Sequence, residues 1–196
     1  MSQQTGFPRL LGDVGGTNAR WAWQAAPGQA LTHVGTLSAR EHASIGDCIA
    51  AYLEQHALPR PRDVAFGIAT AVTGDTVSMT NHPWSFSIDA LRRSLGADRV
   101  RVLNDFEALA HAVPVLPATD LQPIGGGVTV PGAALAVIGP GTGLGVSGLV
   151  SDGSGGFDTQ AISVTVTDVT AALVVSTEQD NADSGIVSGN AAHTAE

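Results

Sequence analysis

The chain contains no lysine; all nine of its cationic residues are arginine. A Walker-type phosphate loop requires a Gly-Lys-Ser/Thr step, so that mode of nucleotide binding is excluded. Cys48 is the only cysteine. An internal disulfide and a cysteine-rich zinc site are therefore both excluded. No stretch reaches the roughly 18 continuous apolar residues of a membrane span. The opening MSQQTGFPRLLGDVGG lacks a basic region followed by an apolar core and a small-residue cleavage site. No secretory signal is expected, and a cytoplasmic setting is the simplest inference. With a net charge of −9, neither nucleic acid nor an anionic membrane is an expected partner.

The composition is that of a soluble globular protein: 43% of residues are hydrophobic and 14% charged. The 196 residues suffice for one substantial domain or one domain with an appendage. The character changes near SDGSGG (151–156), a linker-like run. Every arginine precedes it, and the segment 151–196 carries acids without a compensating base. The expected organisation is a unit over 1–150 and an acidic, partly strand-forming tail over 151–196. In that tail AISVTVTDV (161–169) alternates as a strand does, and the polar end beyond Ser176 has a disordered composition.

Before the boundary the pattern is mixed α/β. Strands are expected at Arg9–Val14, Arg20–Ala25, Leu31–Leu37, Asp63–Thr70, Thr76–Thr80, Arg99–Leu103, Ala133–Ile138 and Val146–Val150. Ile45, Cys48, Ile49, Tyr52, Leu53 and His56 recur at helical spacing, with Ser44 and Asp47 placed as a capping box whose acid is one carbon short. Ser87 is placed to cap a helix ending at Gly96. Phe106–Val113 reads as helix, with Pro114 as its stop.

Two glycine turns carry chemistry. Gly12-Asp13-Val14-Gly15-Gly16-Thr17-Asn18-Ala19-Arg20 joins two strands. Its glycines permit positive φ and remove side chains that would hold phosphate away from backbone N–H groups. Thr17 and Asn18 add donors, and Asp13 is suited to holding Mg²⁺ through water. The bland reading of Gly-Gly here is a hairpin turn. Ala136–Gly145 repeats the device, with Gly141, Thr142 and Gly143 at its centre. Two such turns can grip a polyphosphate from both sides. Arg20 is open to two readings, a phosphate contact or a structural ion pair.

Asn104 and Asp105 stand where a strand ends and a helix begins, the place where α/β folds collect ligands. Asp105 is suited to accept the proton of a hydroxyl that attacks phosphorus, and Asn104 to bond neighbouring hydroxyls. Position alone favours a helix cap. Asn81 offers a donor and an acceptor to a hydroxyl-rich ligand. Trp84 and Phe86 are as readily core residues as a face for a sugar ring. His82 is read as structural.

Together the first glycine turn, GTGLG, LNDF followed by EALAHAVP, and MTNHPWSFS resemble the bacterial glucokinases, sugar kinases of the actin-like ATPase (ribonuclease H-like) fold. The resemblance runs from about Leu10 to Gly156. It implies an α/β actin-like domain with an incomplete second domain, and transfer of the terminal phosphoryl group of ATP to glucose. It assigns Asp105 as base, Asn81 and Asn104 as sugar contacts, and Gly12, Asp13, Gly15, Gly16, Thr17, Asn18, Gly141, Thr142 and Gly143 to phosphate and Mg²⁺. It leaves a homodimer open. The Gly-Glu-Gly-Gly-His segment that follows GTGLG in that family has no counterpart here, and SGGFDTQAISVTVTDV looks instead like a strand of cadherin-like repeats. The competing classes are a non-catalytic sugar- or nucleotide-binding module needing a partner chain and, from the tail alone, a piece of a surface adhesin.

Overall fold

The computed structural model of the chain describes residues 6–122, 130, 133–140, 144–151 and 157–160. The chain divides into two units, Met1–Ile162 and Ser163–Glu196, the second lying outside the described residues. The predicted strand at 161–169 therefore lies outside them too.

Five strands form the main sheet: β1 (Arg9–Val14), β2 (Asn18–Gln24), β3 (Thr32–Ser38), β4 (Asp63–Ile68) and β7 (Arg99–Asn104). Their spatial order is β3-β2-β1-β4-β7. β1 to β3 form an antiparallel meander, whereas β4 and β7 run parallel to β1. Parallel neighbours need crossovers, and these are supplied by helices α1 (Ile45–Gln55) and α2 (Ile88–Leu95).

The pleat sorts the two faces. Leu10, Val14, Ala19, Trp21, Trp23, Val64, Phe66, Ile68 and Val102 are all buried and share one cluster with Ile45, Cys48, Ile49 and Tyr52 of α1 and Leu91 and Leu95 of α2. Each fully buried large side chain here stabilises by roughly 1.5–3 kcal/mol. The alternate residues, including Asp13 of β1 and Gly67 of β4, point to the other face. There α3 (Asp105–Ala112) packs across the ends of β4 and β7.

Local signals set the helix ends. Ser44 accepts from the Asp47 N–H at 3.1 Å, while the Asp47 carboxylate accepts from the Ser44 hydroxyl at 2.8 Å rather than from its backbone N–H, so only the serine half of the expected capping box forms. Ser87 caps α2, and Gly96 closes it at φ +63°. The proline stop is softer than expected. Pro114 sits inside a 3-10 turn, Val113–Val115, that extends α3.

Two smaller sheets complete the described chain. β5 (Thr76–Ser78) and β6 (Ser85–Ser87) form a hairpin whose tip carries Asn81. β6 was not expected; three residues are too few for alternation to show. β8 (Leu135–Pro140), β9 (Leu144–Ser151) and β10 (Phe157–Gln160) form an antiparallel sheet. Ser151, the first residue of the expected boundary run, is the last of β9 and pairs with Phe157 of β10; residues 152–156 lie outside the described residues.

Candidate active site

Val14, Ile68 and Asn104 occupy one register across the three parallel strands. The chain therefore leaves β1, β4 and β7 at a single edge, through Gly15, Ala69 and Asp105 respectively. Ligands of open α/β sheets gather at this carboxyl edge.

Asp13 lies one residue before that edge, on the face away from the core, with two-thirds of its side chain exposed. Arg20 is its direct cross-strand partner, and the guanidinium approaches the carboxylate to 3.7 Å. Of the two readings left open for Arg20, this is the ion pair. Being exposed, the pair contributes little to stability.

The turn after β1 is closed by the Gly15 N–H donating to the Asn18 carbonyl at 2.9 Å. Thr17 and Asn18 are exposed, and their side chains make no hydrogen bond among the described residues. Positive φ does not explain the glycines: the described glycines with positive φ are Gly6, Gly28 and Gly96. Gly12 is required by the core, because a Cβ there would run into the Trp21 ring. Gly16 lies close against the neighbouring hairpin, where a Cβ would stand 3.1 Å from the Asn81 carbonyl oxygen. That contact brings the exposed Asn81 beside the turn.

Asn104 and Asp105 take different roles. Asn104 is the N-cap of α3: its Oδ1 accepts from the N–H groups of Phe106 at 3.0 Å and Glu107 at 3.4 Å. Its Nδ2 donates to the Thr70 carbonyl at 3.1 Å, so both ends of the amide are held by protein. The cap that position alone suggested for Asp105 is thus made by its neighbour. Asp105 opens α3, and its Oδ1 accepts from the Phe106 N–H at 2.9 Å. Its other oxygen has no hydrogen bond among the described residues.

Asp105 and Asp13 line the same cleft, a space of about 380 Å³ bounded also by Gly67 and Phe106. Gly67 sets this proximity. A Cβ there would lie 3.3 Å from Ala108 Cβ and 3.5 Å from Asp105 Cα, so the missing side chain lets α3 sit close against β4. The sequence reading passed over Gly67. An isolated glycine within the apolar run Asp63–Thr70 was the available signal, because such glycines mark close backbone approach. Thr70 was also missed. It accepts from Asn104, and its hydroxyl donates to the Ser78 carbonyl at 3.0 Å, tying the β5–β6 hairpin to the β7–α3 junction.

Trp84 belongs to the core: it is 3% exposed, and its indole N–H donates to the His42 carbonyl at 3.0 Å. Phe86 packs against the same core. His82 sets its ring edge-on to Trp84. Gly141, Thr142 and Gly143 lie outside the described residues. Of their surroundings, Gly139 of β8 presses on Phe106 of α3, where a Cβ would meet the ring at 2.9 Å.

The site combines an exposed carboxylate, Asp13, and a half-buried one, Asp105, with open hydroxyl and amide donors and a glycine turn at a strand edge. No group of three or more His, Cys, Asp or Glu residues able to cage a metal exists among the described residues. A cation here would be held by one carboxylate together with water and ligand oxygens, which is how Mg²⁺ is usually bound. No helix among the described residues is long and apolar enough to cross a membrane.

Comparison with known proteins bears on the family to which the chain belongs. The family model described as Glucokinase matches residues 10–172, a span that includes 161–169. A glucokinase of Aromatoleum aromaticum is 53% identical over 150 residues, 76% of this chain and 45% of that protein. A glucokinase of Ralstonia nicotianae is 48% identical over 163 residues, 80% of this chain and 47% of that protein. Among solved structures, a glucokinase from an Antarctic psychrotroph superposes with a TM-score of 0.70 at 27% identity, over 83% of this chain and 53% of that one. The chain thus spans about half the length of the curated relatives it matches. With the family model, the curated relatives and the solved neighbour in agreement, the chain belongs to the glucokinase family.

Proposed function

We propose that this chain supplies the phosphate-binding turn, the sugar contacts and the proton acceptor for transfer of the terminal phosphoryl group of ATP to a hydroxyl of glucose. The observation that carries the reading is the shared cleft of Asp13 and Asp105, two carboxylates delivered to one edge by the common register of β1, β4 and β7. Phosphoryl transfer asks a protein chiefly to position its reactants and to stabilise charge. In this reading the free oxygen of Asp105 takes the proton of the attacking hydroxyl. The hydroxyl oxygen bonds to phosphorus as the bond to the ADP oxygen breaks. Asn81, at the hairpin tip, bonds the sugar. Asn104 acts from behind, holding Asp105 at the helix start.

Gly15 and Gly16 offer backbone N–H groups, and Thr17 and Asn18 their side chains, to the phosphates. Gly141, Thr142 and Gly143 are assigned to the opposite side of the nucleotide on sequence alone. Asp13 fits Mg²⁺, held through water; the ion, when bound, neutralises phosphate charge. We read β8–β10 as the first strands of a second domain of the actin-like ATPase fold. A reaction that consumes ATP fits a cytoplasmic setting.

The test is direct. The chain is incubated with glucose and Mg²⁺–ATP, and glucose 6-phosphate and ADP are measured. Equal amounts of both, retained through re-purification, support the reading. Binding of either substrate without product marks a binding module instead.

A further inference from the structure

Asn81 is held from several sides, and one of its holders belongs to the phosphate turn. The β5–β6 hairpin is tied to the ends of β4 and β7 by Thr70, whose hydroxyl donates to the Ser78 carbonyl at 3.0 Å. At its other shoulder the Met79 N–H donates to the Trp84 carbonyl at 3.0 Å, and the Trp84 indole is bonded to the His42 carbonyl. Between these anchors, Asn81 abuts Gly16. A Cβ on Gly16 would lie 3.1 Å from the Asn81 carbonyl oxygen and 3.3 Å from the Asn81 Cβ, closer than packed atoms normally approach. Gly15, one residue earlier, is different: its Cβ would meet only the Asn18 carbonyl, at 3.6 Å. The Asn81 side chain is exposed and makes no hydrogen bond among the described residues, so its amide is available to a ligand.

We infer that Gly16 is a positioning residue for the sugar contact: occupancy of the phosphate turn is transmitted by the Gly16–Asn81 contact to the amide that receives the sugar. The physical argument is one of stiffness. Thr70 and Trp84 fix the two ends of the hairpin, so a shift of Gly16 cannot be absorbed by moving the hairpin as a whole. It is absorbed at the tip, where the nearest atoms are Asn81 backbone and Cβ rather than the end of a flexible side chain. The inference rests on the functional reading above only for what occupies the turn and the amide; the steric contact stands by itself.

The test compares the full 196-residue chain with Gly16→Ala and Gly15→Ala by two-dimensional NMR. Gly16→Ala is expected to shift the Asn81 and His82 backbone amides and the Trp84 indole signal, whereas Gly15→Ala leaves them in place. Mg²⁺–ATP added to the unsubstituted chain is expected to move the Gly15–Asn18 signals and, with them, those of Asn81. Glucose titrated in the presence of nucleotide is expected to bind Gly16→Ala about fivefold more weakly, the worth of one displaced hydrogen bond. Asn81 signals unmoved by Gly16→Ala in a folded chain overturn the inference. So does a nucleotide response confined to Gly15–Asn18. Asn81 moving on substitution, with neither glucose nor nucleotide shifting any signal of the unsubstituted chain, upholds the contact and sinks the functional reading.

Discussion

Asn104 donates its side-chain N–H to the Thr70 carbonyl at 3.1 Å, spanning the gap between the ends of β7 and β4. The same side chain caps α3 through Oδ1. Substitution separates the two roles. Asn104→Asp keeps a capping oxygen and loses the donor to Thr70; Asn104→Ala loses both. Urea denaturation is expected to show Asn104→Ala destabilised by about 1–2 kcal/mol, with Asn104→Asp between it and the unsubstituted chain. Equal stability for all three would mean that the amide holds nothing.

Gly67 makes a different demand on the same junction. Its absent Cβ is the space into which Ala108 and Asp105 fit. Gly67→Val forces α3 outward and is expected to cost about 1–3 kcal/mol, as overpacking usually does. A second substitution, Ala108→Gly, removes the nearest obstructing atom and is expected to restore part of the loss. Additive effects of the two changes would show that they do not meet.

How much of this was legible beforehand follows from the length scale of each signal. The α1 cap, the Gly96 stop and β1 are local patterns within a few residues, and each appears where the sequence placed it. Asp13 and Asp105 could be picked out singly from their strand ends. That they share a cleft could not, because the sharing depends on the register of three strands separated by two crossovers. Gly16 was assigned to a backbone conformation it does not adopt, because its true neighbour, Asn81, is distant in sequence. Trp84 was undecided for the same reason: only the fold reveals that its indole reaches the His42 carbonyl.

Asp75 is expected to contribute to the acid limb of stability. Its carboxyl is held below the usual aspartate range by a hydrogen bond from Ser87, then by the Asp89 backbone N–H, with Arg93 nearby. The group binds a proton less readily folded than unfolded. Its contribution is therefore present above the ordinary aspartate range and is lost as pH falls through and below it. Between about pH 5 and about pH 3 the urea midpoint of the unsubstituted chain should fall more than that of Asp75→Asn. Parallel declines would remove Asp75 from the account.

Cys48 is fully buried on α1, and burial pushes its thiol above the ordinary range. Only the thiolate attacks alkylating reagents. The native chain should therefore resist iodoacetamide at neutral pH and become labelled once urea unfolds it. Native labelling as fast as unfolded labelling would contradict the packing of α1 on the sheet.

Asp105 gives the sharpest test of the chemistry. The carboxylate opens α3 with one oxygen on the Phe106 N–H and the other free of protein partners among the described residues. Asp105→Asn preserves size, the bond to Phe106 and the helix start, and removes only the capacity to take a proton. Because Asn104 is the cap, stability should hardly change. If Asp105 is the base, turnover of glucose should fall by roughly 10²–10⁴, the usual worth of general base catalysis, while glucose affinity changes far less. A residue that merely shapes the helix start predicts the reverse, a normal rate in a slightly weakened fold. Rate and stability measured on the same variant separate the two, and turnover within about threefold of the unsubstituted chain would remove Asp105 from the mechanism.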